Sequence, residues 1–167
     1  MAFNLRDTQK PLKERYRQEP GSAIITLIAR SEQADTPIAC SVDLGRAIYE
    51  AQAHLGVGGA GTAPCSGDLL LGALAACAQL TTQMVAEAMG IKTDKISITI
   101  EGDWDIRGTL GIDQAAPVGL TAIRATFEVV APEATPEQIA SLKEKAEKYC
   151  VVLSTLRTPP PIETSWK

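Results

Sequence analysis

The sequence has little of what several common functional sites are built from. Among its 167 residues there is one histidine, His54, and aromatic residues make up only 4%. Too few aromatic side chains remain to stack along a single-stranded nucleic acid, and the net charge of −4 gives no overall field that would attract a phosphate backbone. We therefore expect no nucleic-acid partner.

Short chelating spacings are also missing. The four cysteines, Cys40, Cys65, Cys77 and Cys150, are separated by 24, 11 and 72 intervening residues. Structural zinc sites use closely spaced ligand pairs and thioredoxin-type sites use C-x-x-C, so neither is expected. A conventional Cys–His nucleophile pair would form only if His54 reached Cys77. The sequence predicts no metal and no bound cofactor.

Neither a leader segment nor a membrane span is expected. The first five residues are followed by charged and polar side chains instead of an apolar run. The apolar run at 69–78 is interrupted from Gln79 onward, before the roughly 20 apolar residues that a bilayer requires. The expected compartment is the cytoplasm, where thiols are kept reduced and a cysteine pair is more often catalytic or metal-binding than structural.

The rest of the composition fits one globular domain behind a charged arm. Apolar residues make up 45% and charged residues 22% of the chain, which is ordinary globular composition. The arm, residues 1–21, is basic: it contains Arg6, Lys10, Lys13, Arg15 and Arg17. It is either a solvated tail or a segment that packs on a second subunit. Residues 22–167 are predicted to form a single domain.

Residue patterns along this domain predict strands separated by loops. Four segments are rich in β-branched residues or alternate between apolar and polar side chains, and these are the predicted strands: 22–29, 36–42, 95–105 and 122–130. The first two make a hairpin. Glycine-rich residues 55–64 and residues 108–119 are predicted loops. The last segment, 162–166, allows only a short edge strand or a tail.

Two helices complete the predicted α+β fold. The first covers about 66–89, with Ser66 as its N-cap and Gly90 ending it, and its N-terminal half is apolar on every face, which is typical of a buried helix. The second begins at a capping box, Thr135–Gln138, and carries Cys150 at its C-terminal end on the inward face.

The residues alone leave the roles of the cysteines open. Cys77 lies in an alanine-rich stretch, where an inert buried thiol would also be found. Cys40 and Cys65 are bystanders on the same argument. Cys65 is nevertheless close enough to the first helix in sequence to be a third redox partner.

The order of the segments resembles the OsmC/Ohr family. The resemblance rests on three stretches: Pro64-Cys-Ser-Gly-Asp-Leu-Leu-Leu-Gly-Ala-Leu-Ala-Ala-Cys77, Asp105-Ile-Arg-Gly108 and Ala146-Glu-Lys-Tyr-Cys150. It covers about residues 24–164. It implies an OsmC-like fold, in which antiparallel sheets wrap around two central helices of an intertwined homodimer, with active sites at the subunit interface.

The resemblance also implies a peroxidase. Cys77 corresponds to the thiol that attacks an organic hydroperoxide, and Cys150 to the thiol that condenses with the resulting sulfenic acid. An external dithiol, in family terms a lipoylated protein, then reduces the disulfide. Disulfide formation requires the two Cα atoms to approach within about 4.4–6.8 Å.

The helix dipole acts within the first turn of a helix, and Cys77 lies beyond that turn. We therefore expect a cation beside Cys77 to stabilise its thiolate. In the family an arginine serves, held by a glutamate ten residues before the first cysteine. Here that position is Gly67, and the nearest carboxylate is Asp68. Arg30 is the preferred cation, and Arg46 is the alternative.

A second interpretation keeps the OsmC-like fold but assigns the chain no peroxidase activity. Without the glutamate at Gly67, and with one histidine, the chain would suit an OsmC-like protein that does not catalyse turnover. Such a protein would bind a small apolar ligand in the pocket at the dimer interface.

Overall fold

The structure, a computed structural model, describes residues 11, 14, 18–19, 30–33, 39–43 and 48–167. Its elements are β1 (Arg30–Gln33), β2 (Ala39–Asp43), β3 (Ile48–Gln52), a short 3-10 helix (Leu55–Val57), α1 (Ser66–Met89), β4 (Lys95–Trp104), α2 (Ile106–Thr109), β5 (Leu120–Val130), α3 (Pro136–Tyr149) and α4 (Val151–Arg157). These helices and sheets confirm the predicted α+β class.

The described residues form two compact units. The first contains the described residues up to Leu71 together with Gly102–Ile123, and the second contains Gly72–Glu101 together with Arg124–Lys167. The predicted strand at 22–29 lies outside the described residues, as does most of the basic arm, 1–21. The division into an arm and one domain at 22–167 stays a prediction.

A three-stranded antiparallel sheet in the order β1-β2-β3 belongs to the first unit. Cys40 of β2 faces Gln33 of β1 on one side and Ala51 of β3 on the other. The sequence predicted β2 but not β3. The segment of β3, Ile48-Tyr-Glu-Ala-Gln52, includes glutamate and alanine, which are depleted in strands, so its pattern is weak.

The glycine-rich segment at 55–64 follows this sheet. Beyond its 3-10 helix it has no regular structure, as predicted. A main-chain hydrogen bond of 3.0 Å from Gln52 N to Pro64 O joins its two ends. Gly59 approaches the carbonyl oxygen of Ala53 so closely that a Cβ atom would collide with it. A larger residue at Gly59 would therefore displace the loop.

Helix α1 has the predicted bounds, Ser66–Met89. Gly90 follows it with φ 68°, in the left-handed region that glycine tolerates. The expected N-cap was wrong by one residue: Leu69 N donates to Cys65 O at 3.1 Å, so Cys65 and not Ser66 caps the helix. α1 is long and apolar enough to cross a membrane by length and composition, a property that core helices of soluble proteins share.

Strands β4 and β5 form a second sheet. Lys95 lies 3.9 Å from Glu128, and Glu101 lies 3.6 Å from Arg124. Residue numbers therefore rise along one strand as they fall along the other, as in an antiparallel pair. The observed bounds of both strands lie within two residues of the predicted ones. The loop predicted at 108–119 is confirmed apart from the end of α2.

Two buried clusters fill the second unit. One consists of Leu74, Ala78 and Cys150, against which Cys77, Ile98, Ile100, Phe127, Val152 and Leu153 pack. The other consists of Ala86, Ile91 and Leu142, against which Val85, Met89, Val129, Ala131 and Ala134 pack. Both clusters join α1 to β5 and to the C-terminal helices.

The C-terminal helix is broken in two. Its capping box is confirmed: Gln138 N donates to Thr135 Oγ1 at 3.3 Å, and Thr135 N donates to Gln138 Oε1 at 2.8 Å. α3 ends at Tyr149, Cys150 is not helical, and α4 follows. The sequence analysis placed Cys150 at the C-terminal end of the second helix, as observed, but it did not predict α4. Residues from Thr158 onward have no regular structure, so the last segment is the tail.

Candidate active site

Cys150 lies at the break between α3 and α4. It is the C-cap of α3 and the N-cap of α4, with φ −71° and ψ 108°, outside the helical range. Its N–H donates to Ala146 O at 3.2 Å, and its carbonyl oxygen accepts from Ser154 N at 2.9 Å. Its side chain is 0% exposed. Both helices therefore hold the Cys150 sulfur inside the second unit.

Cys77 lies near the middle of α1 and is partly exposed. Its side chain packs against the buried cluster that contains Leu74, Ala78 and Cys150. The structure thus brings together the two cysteines that the sequence predicted as a pair. Both are free thiols in this structure.

Four groups around the Cys77 thiol lower its pKa by hydrogen bonding. Thr81 Oγ1 lies 4.0 Å from its Sγ. The others are the backbone N–H groups of Val151 and Val152, at the start of α4, and the thiol of Cys150. Burial raises the pKa of the Cys77 thiol, but these hydrogen bonds outweigh burial, and the pKa lies below its ordinary value. The site therefore favours the thiolate of Cys77.

The pKa of the Cys150 thiol is shifted in the opposite direction. Burial is the largest cause of its raised pKa, the neighbouring Cys77 adds to the rise, and the N–H groups of Leu153 and Val152 oppose it. Two adjacent thiols rarely ionise together, because the first negative charge disfavours the second. Of the two sulfurs, Cys77 is therefore the one that ionises more readily.

Asp68 makes its described contacts at the start of α1, in the first unit. Its Oδ2 accepts a hydrogen bond of 2.9 Å from Cys65 N. Hydrogen bonds from the N–H and then the thiol of Cys65 lower the pKa of Asp68, burial opposes them, and the charge of His54 lowers it further. Asp68 thus completes the N-terminal cap of α1, a role that the sequence analysis did not anticipate.

The two candidate arginines are not described by their side chains. Arg46 lies outside the described residues, and Arg30 is placed through its backbone alone, opposite Asp43 in the β1–β2 pair. The role of Arg30, or of Arg46, as the cation beside the thiolate stays a prediction.

His54 is used locally in the first unit. Its Nδ1 accepts a hydrogen bond of 3.0 Å from Gly56 N and so caps the 3-10 helix. Its ring meets the ring of Trp104 edge to face, with centroids 5.8 Å apart. The described contacts of His54 are therefore those of a loop-anchoring residue.

A further cation of the first unit, Arg107, is paired twice. Its guanidinium binds Asp105 through Nε–Oδ1 at 3.0 Å and Nη2–Oδ2 at 2.6 Å, and Asp113 through Nη1–Oδ2 at 3.2 Å. The hydrogen bonds with Arg107 lower the pKa of Asp105. A groove of about 480 Å³ lies beside this group, and its lining includes Trp104 and Leu110 but no cysteine.

Sequence reasoning identified the two sulfurs but not the groups around them. Thr81 could have been found, because residues four apart share a face of a helix. The N–H groups of Val151 and Val152 could not, since their position depends on the break at Cys150. Within the described part of the chain, no three or more His, Cys, Asp or Glu side chains are grouped as metal ligands.

Comparison with known proteins gives one family match and several structural matches. The model of the OsmC-like protein family matches residues 59–165, more than half of the chain. No curated protein matches the sequence. The OsmC-like protein of Mycoplasma pneumoniae is 18% identical, with a TM-score of 0.66 over 81% of this chain and 89% of that one.

Two further solved structures with this fold are named organic hydroperoxide resistance proteins. The one from Legionella pneumophila is 18% identical, with a TM-score of 0.59 over 81% of this chain and 92% of that one. The one from Elizabethkingia anophelis is 21% identical, with a TM-score of 0.60 over 82% and 91%. Likenesses at these identities establish the OsmC-like fold.

Proposed function

The chain belongs to the OsmC-like protein family, and from this premise we propose that it is a thiol-dependent peroxidase that reduces organic hydroperoxides. The observation that carries the proposal is the pair of free thiols: Cys77 and Cys150 meet in one buried cluster, and their pKa values are shifted in opposite directions. A two-thiol peroxidase needs this asymmetry, because one sulfur attacks as a thiolate and the other waits.

The proposed cycle starts with attack by the Cys77 thiolate on the terminal oxygen of the hydroperoxide. The O–O bond breaks, Cys77 becomes a sulfenic acid, and the alkoxide takes a proton from water and leaves as the alcohol. The Cys150 sulfur then attacks the Cys77 sulfur, its proton leaves with the hydroxyl group as water, and a disulfide forms. The buried Cys150 thus protects Cys77 from irreversible oxidation.

An external dithiol completes the cycle. It supplies two electrons and two protons, leaves as its own disulfide and returns Cys77 and Cys150 to thiols. We assign this role to a dithiol such as a lipoylated protein. In this scheme the chain needs no bound cofactor or metal of its own.

From the family resemblance alone, we further propose roles for Arg30 and Asp68 in the chemistry of Cys77. Arg30 supplies a cation for the thiolate, and Asp68 takes the role of the carboxylate that the family places at Gly67. The hydrogen bonds that reach Cys77 from its own unit act in the same direction as this cation, so the arginine adds to a stabilisation that is already present.

The fold similarity supports the substrate class. Two proteins with this fold are named organic hydroperoxide resistance proteins. The cluster around the two sulfurs is apolar, with Leu74, Ile98 and Phe127 among its members. Apolar surroundings favour an organic hydroperoxide over hydrogen peroxide, since the organic group is desolvated as it binds.

A homodimer in the cytoplasm is the proposed working form. The second unit leaves Leu80 58% exposed and Met84 42% exposed, one helical turn apart on α1. Soluble proteins cover contiguous apolar surface of this kind with a partner, and a second copy is the commonest partner.

A second candidate function is ligand binding without turnover. The groove of about 480 Å³ in the first unit, with Trp104 and Leu110 in its lining, favours it, because volumes of this size hold small molecules. This groove contains neither Cys77 nor Cys150, so an occupied groove would leave the thiol chemistry unused.

The test is the consumption of cumene hydroperoxide by the purified protein with a dithiol reductant. Wild type should turn over many times, Cys77→Ser not at all, and Cys150→Ser once before Cys77 is over-oxidised. Cys65→Ser is the matched thiol control and should keep full activity. Arg30→Gln should slow turnover far more than Arg46→Gln. A wild-type rate no greater than that of the free dithiol would reject the peroxidase and leave ligand binding.

A further inference from the structure

Thr81 and Thr82 are adjacent on α1 and are both buried, at 4% and 1% exposed, yet their hydroxyls are used differently. Thr82 Oγ1 donates to Ala78 O at 2.7 Å. This is the usual bond of a helical threonine, to the carbonyl four residues earlier. Thr81 Oγ1 instead lies 4.0 Å from Cys77 Sγ, which belongs to the residue four positions before it. The Thr82 hydroxyl therefore bonds to the helix backbone, whereas the Thr81 hydroxyl contacts the Cys77 sulfur.

We propose that Thr81 is a positioning residue that donates a hydrogen bond to the Cys77 thiolate and so sets how much of this thiol is ionised at neutral pH. The inference rests on the proposed function in taking Cys77 as the attacking sulfur. It concerns the ionisation of that sulfur and not its reaction with peroxide, so it can be measured with no peroxide present.

The direction of the hydrogen bond follows from the charge on sulfur. A thiolate has no hydrogen and can only accept, so the Thr81 hydroxyl must be the donor once Cys77 is ionised. When Cys77 loses its proton to water, the hydroxyl turns its hydrogen toward the sulfur. Every buried side-chain nitrogen and oxygen of the described residues has a hydrogen-bond partner, and for the Thr81 hydroxyl that partner is the Cys77 sulfur.

The surroundings make this hydrogen bond effective. Cys77 packs against the buried cluster of Leu74, Ala78 and Cys150, and the other side chains that pack on this cluster are apolar: Ile98, Ile100, Phe127, Val152 and Leu153. Besides Cys77 itself, Cys150 is the one titratable side chain of the described residues in this cluster, and its raised pKa favours the protonated form. A hydrogen bond to a charged group in apolar surroundings is stronger than one in water, because little solvent competes for it.

The experiment measures the alkylation of Cys77 by iodoacetamide from pH 5 to pH 10 in the full chain, with site-resolved mass spectrometry. The variants are Thr81→Val, which keeps the shape and removes the hydroxyl, Thr81→Ser, which keeps the hydroxyl, and Thr82→Val, the matched control. We expect Thr81→Val to alkylate about five- to tenfold more slowly at pH 7, with its pH profile displaced upward and its high-pH plateau unchanged. Thr81→Ser and Thr82→Val should follow the wild-type profile.

Two results would overturn the proposal: a Thr81→Val profile that superimposes on wild type, or an equal displacement in Thr82→Val, which would reveal a general effect of losing a buried hydroxyl. If Thr81→Val does not fold, as judged by circular dichroism, Thr81→Ala takes its place with the same expectations. A displaced profile in a protein that consumes no hydroperoxide would keep the role of Thr81 and reject the peroxidase. An unchanged profile in a protein that does consume hydroperoxide would reject the role of Thr81 and keep the peroxidase.

Discussion

At the scale of single residues, burial and hydrogen bonding act on two sulfurs of the same cluster and give opposite results. Burial raises the pKa of both thiols, but for Cys77 the hydrogen bonds from Thr81 and from the start of α4 more than offset this rise. Cys150 is fully buried, and its hydrogen bonds do not offset the effect of burial, so its pKa is raised. The difference in acidity between the two thiols is therefore set by local contacts.

This asymmetry predicts selective labelling. Iodoacetamide at pH 7.5 should modify Cys77 in the native protein much faster than Cys150, because the thiolate is the reactive form and Cys77 is the more acidic and the more accessible of the two. In urea the two should react at similar rates. Quantitative mass spectrometry of both peptides checks this, and faster native labelling of Cys150 would contradict the assigned roles.

Asp68 gives a second prediction at this scale. Its folded-state pKa is lowered, chiefly by the Cys65 N–H, so it stabilises the folded state at pH values above the ordinary carboxyl range, and this contribution is lost as the pH falls through the folded-state pKa. Asp68→Asn should lower the free energy of unfolding by about 0.5–1 kcal/mol at pH 7, with the exposed position keeping the loss small. The loss should be smaller at pH 3.

Urea unfolding at both pH values is the measurement, and Glu87→Gln is its control. Glu87 lies in the last turn of the same helix, where a negative charge is unfavourable, so its neutralisation should cost nothing. Equal losses in both variants would reject the cap. If Asp68→Asn also slows peroxide turnover, Asp68 serves the catalytic cation as well as the helix.

How much of the site could be read from the sequence depends on the kind of signal. The pairing of Cys77 with Cys150 came from a family resemblance, because 72 intervening residues carry no distance information. The cap formed by Asp68 was missed, since a cysteine is not a typical N-cap residue. Thr81 lies four residues after Cys77, a spacing that places both on one face of the helix. A threonine in an apolar helix, however, first suggests packing.

At the scale of elements, the break after α3 is the feature that makes the site. It stops one helix at Cys150 and starts another, so the free N–H groups at the start of α4 reach Cys77. An unbroken helix would have used these N–H groups internally. The sequence predicted the capping box of α3, because that box has a residue-type signal, whereas the start of α4 has none.

Val151→Pro tests this arrangement. Val151 is the first residue of α4, a position that accepts proline, and Cys150 has φ −71° and ψ 108°, near the extended conformation that proline imposes on its predecessor. The variant should fold, lose one N–H donor and shift the alkylation profile of Cys77 to higher pH. The shift should be smaller than that of Thr81→Val, because the Val151 N–H is the weakest of the four hydrogen bonds.

Val151→Ala is the matched control for this test. It shortens the exposed side chain but keeps the N–H, so the alkylation profile should match wild type. A proline variant that alkylates like the alanine variant would show that the Val151 N–H does not reach the thiolate.

At the scale of the whole molecule, the exposed side chains indicate a surface that a single chain leaves open. β5 exposes six consecutive residues from Thr121 to Thr126, and α1, an apolar helix, is only partly buried. Composition predicted that α1 would be buried all round. The difference has a physical reason: the described residues do not supply apolar partners for every face of this 24-residue helix.

A second copy of the chain would supply the missing apolar partners of α1, so we predict the mass of a dimer in solution. Light scattering after size exclusion, without detergent, should give about twice 17.7 kDa for the wild type. Leu80→Glu combined with Met84→Glu should give a monomer, because two charges buried at an apolar interface are strongly unfavourable. Gln83→Glu, at an exposed polar position between them, should stay a dimer. A monomeric wild type would reject the dimer, and a wild type that is soluble only with detergent would mean that lipid covers α1.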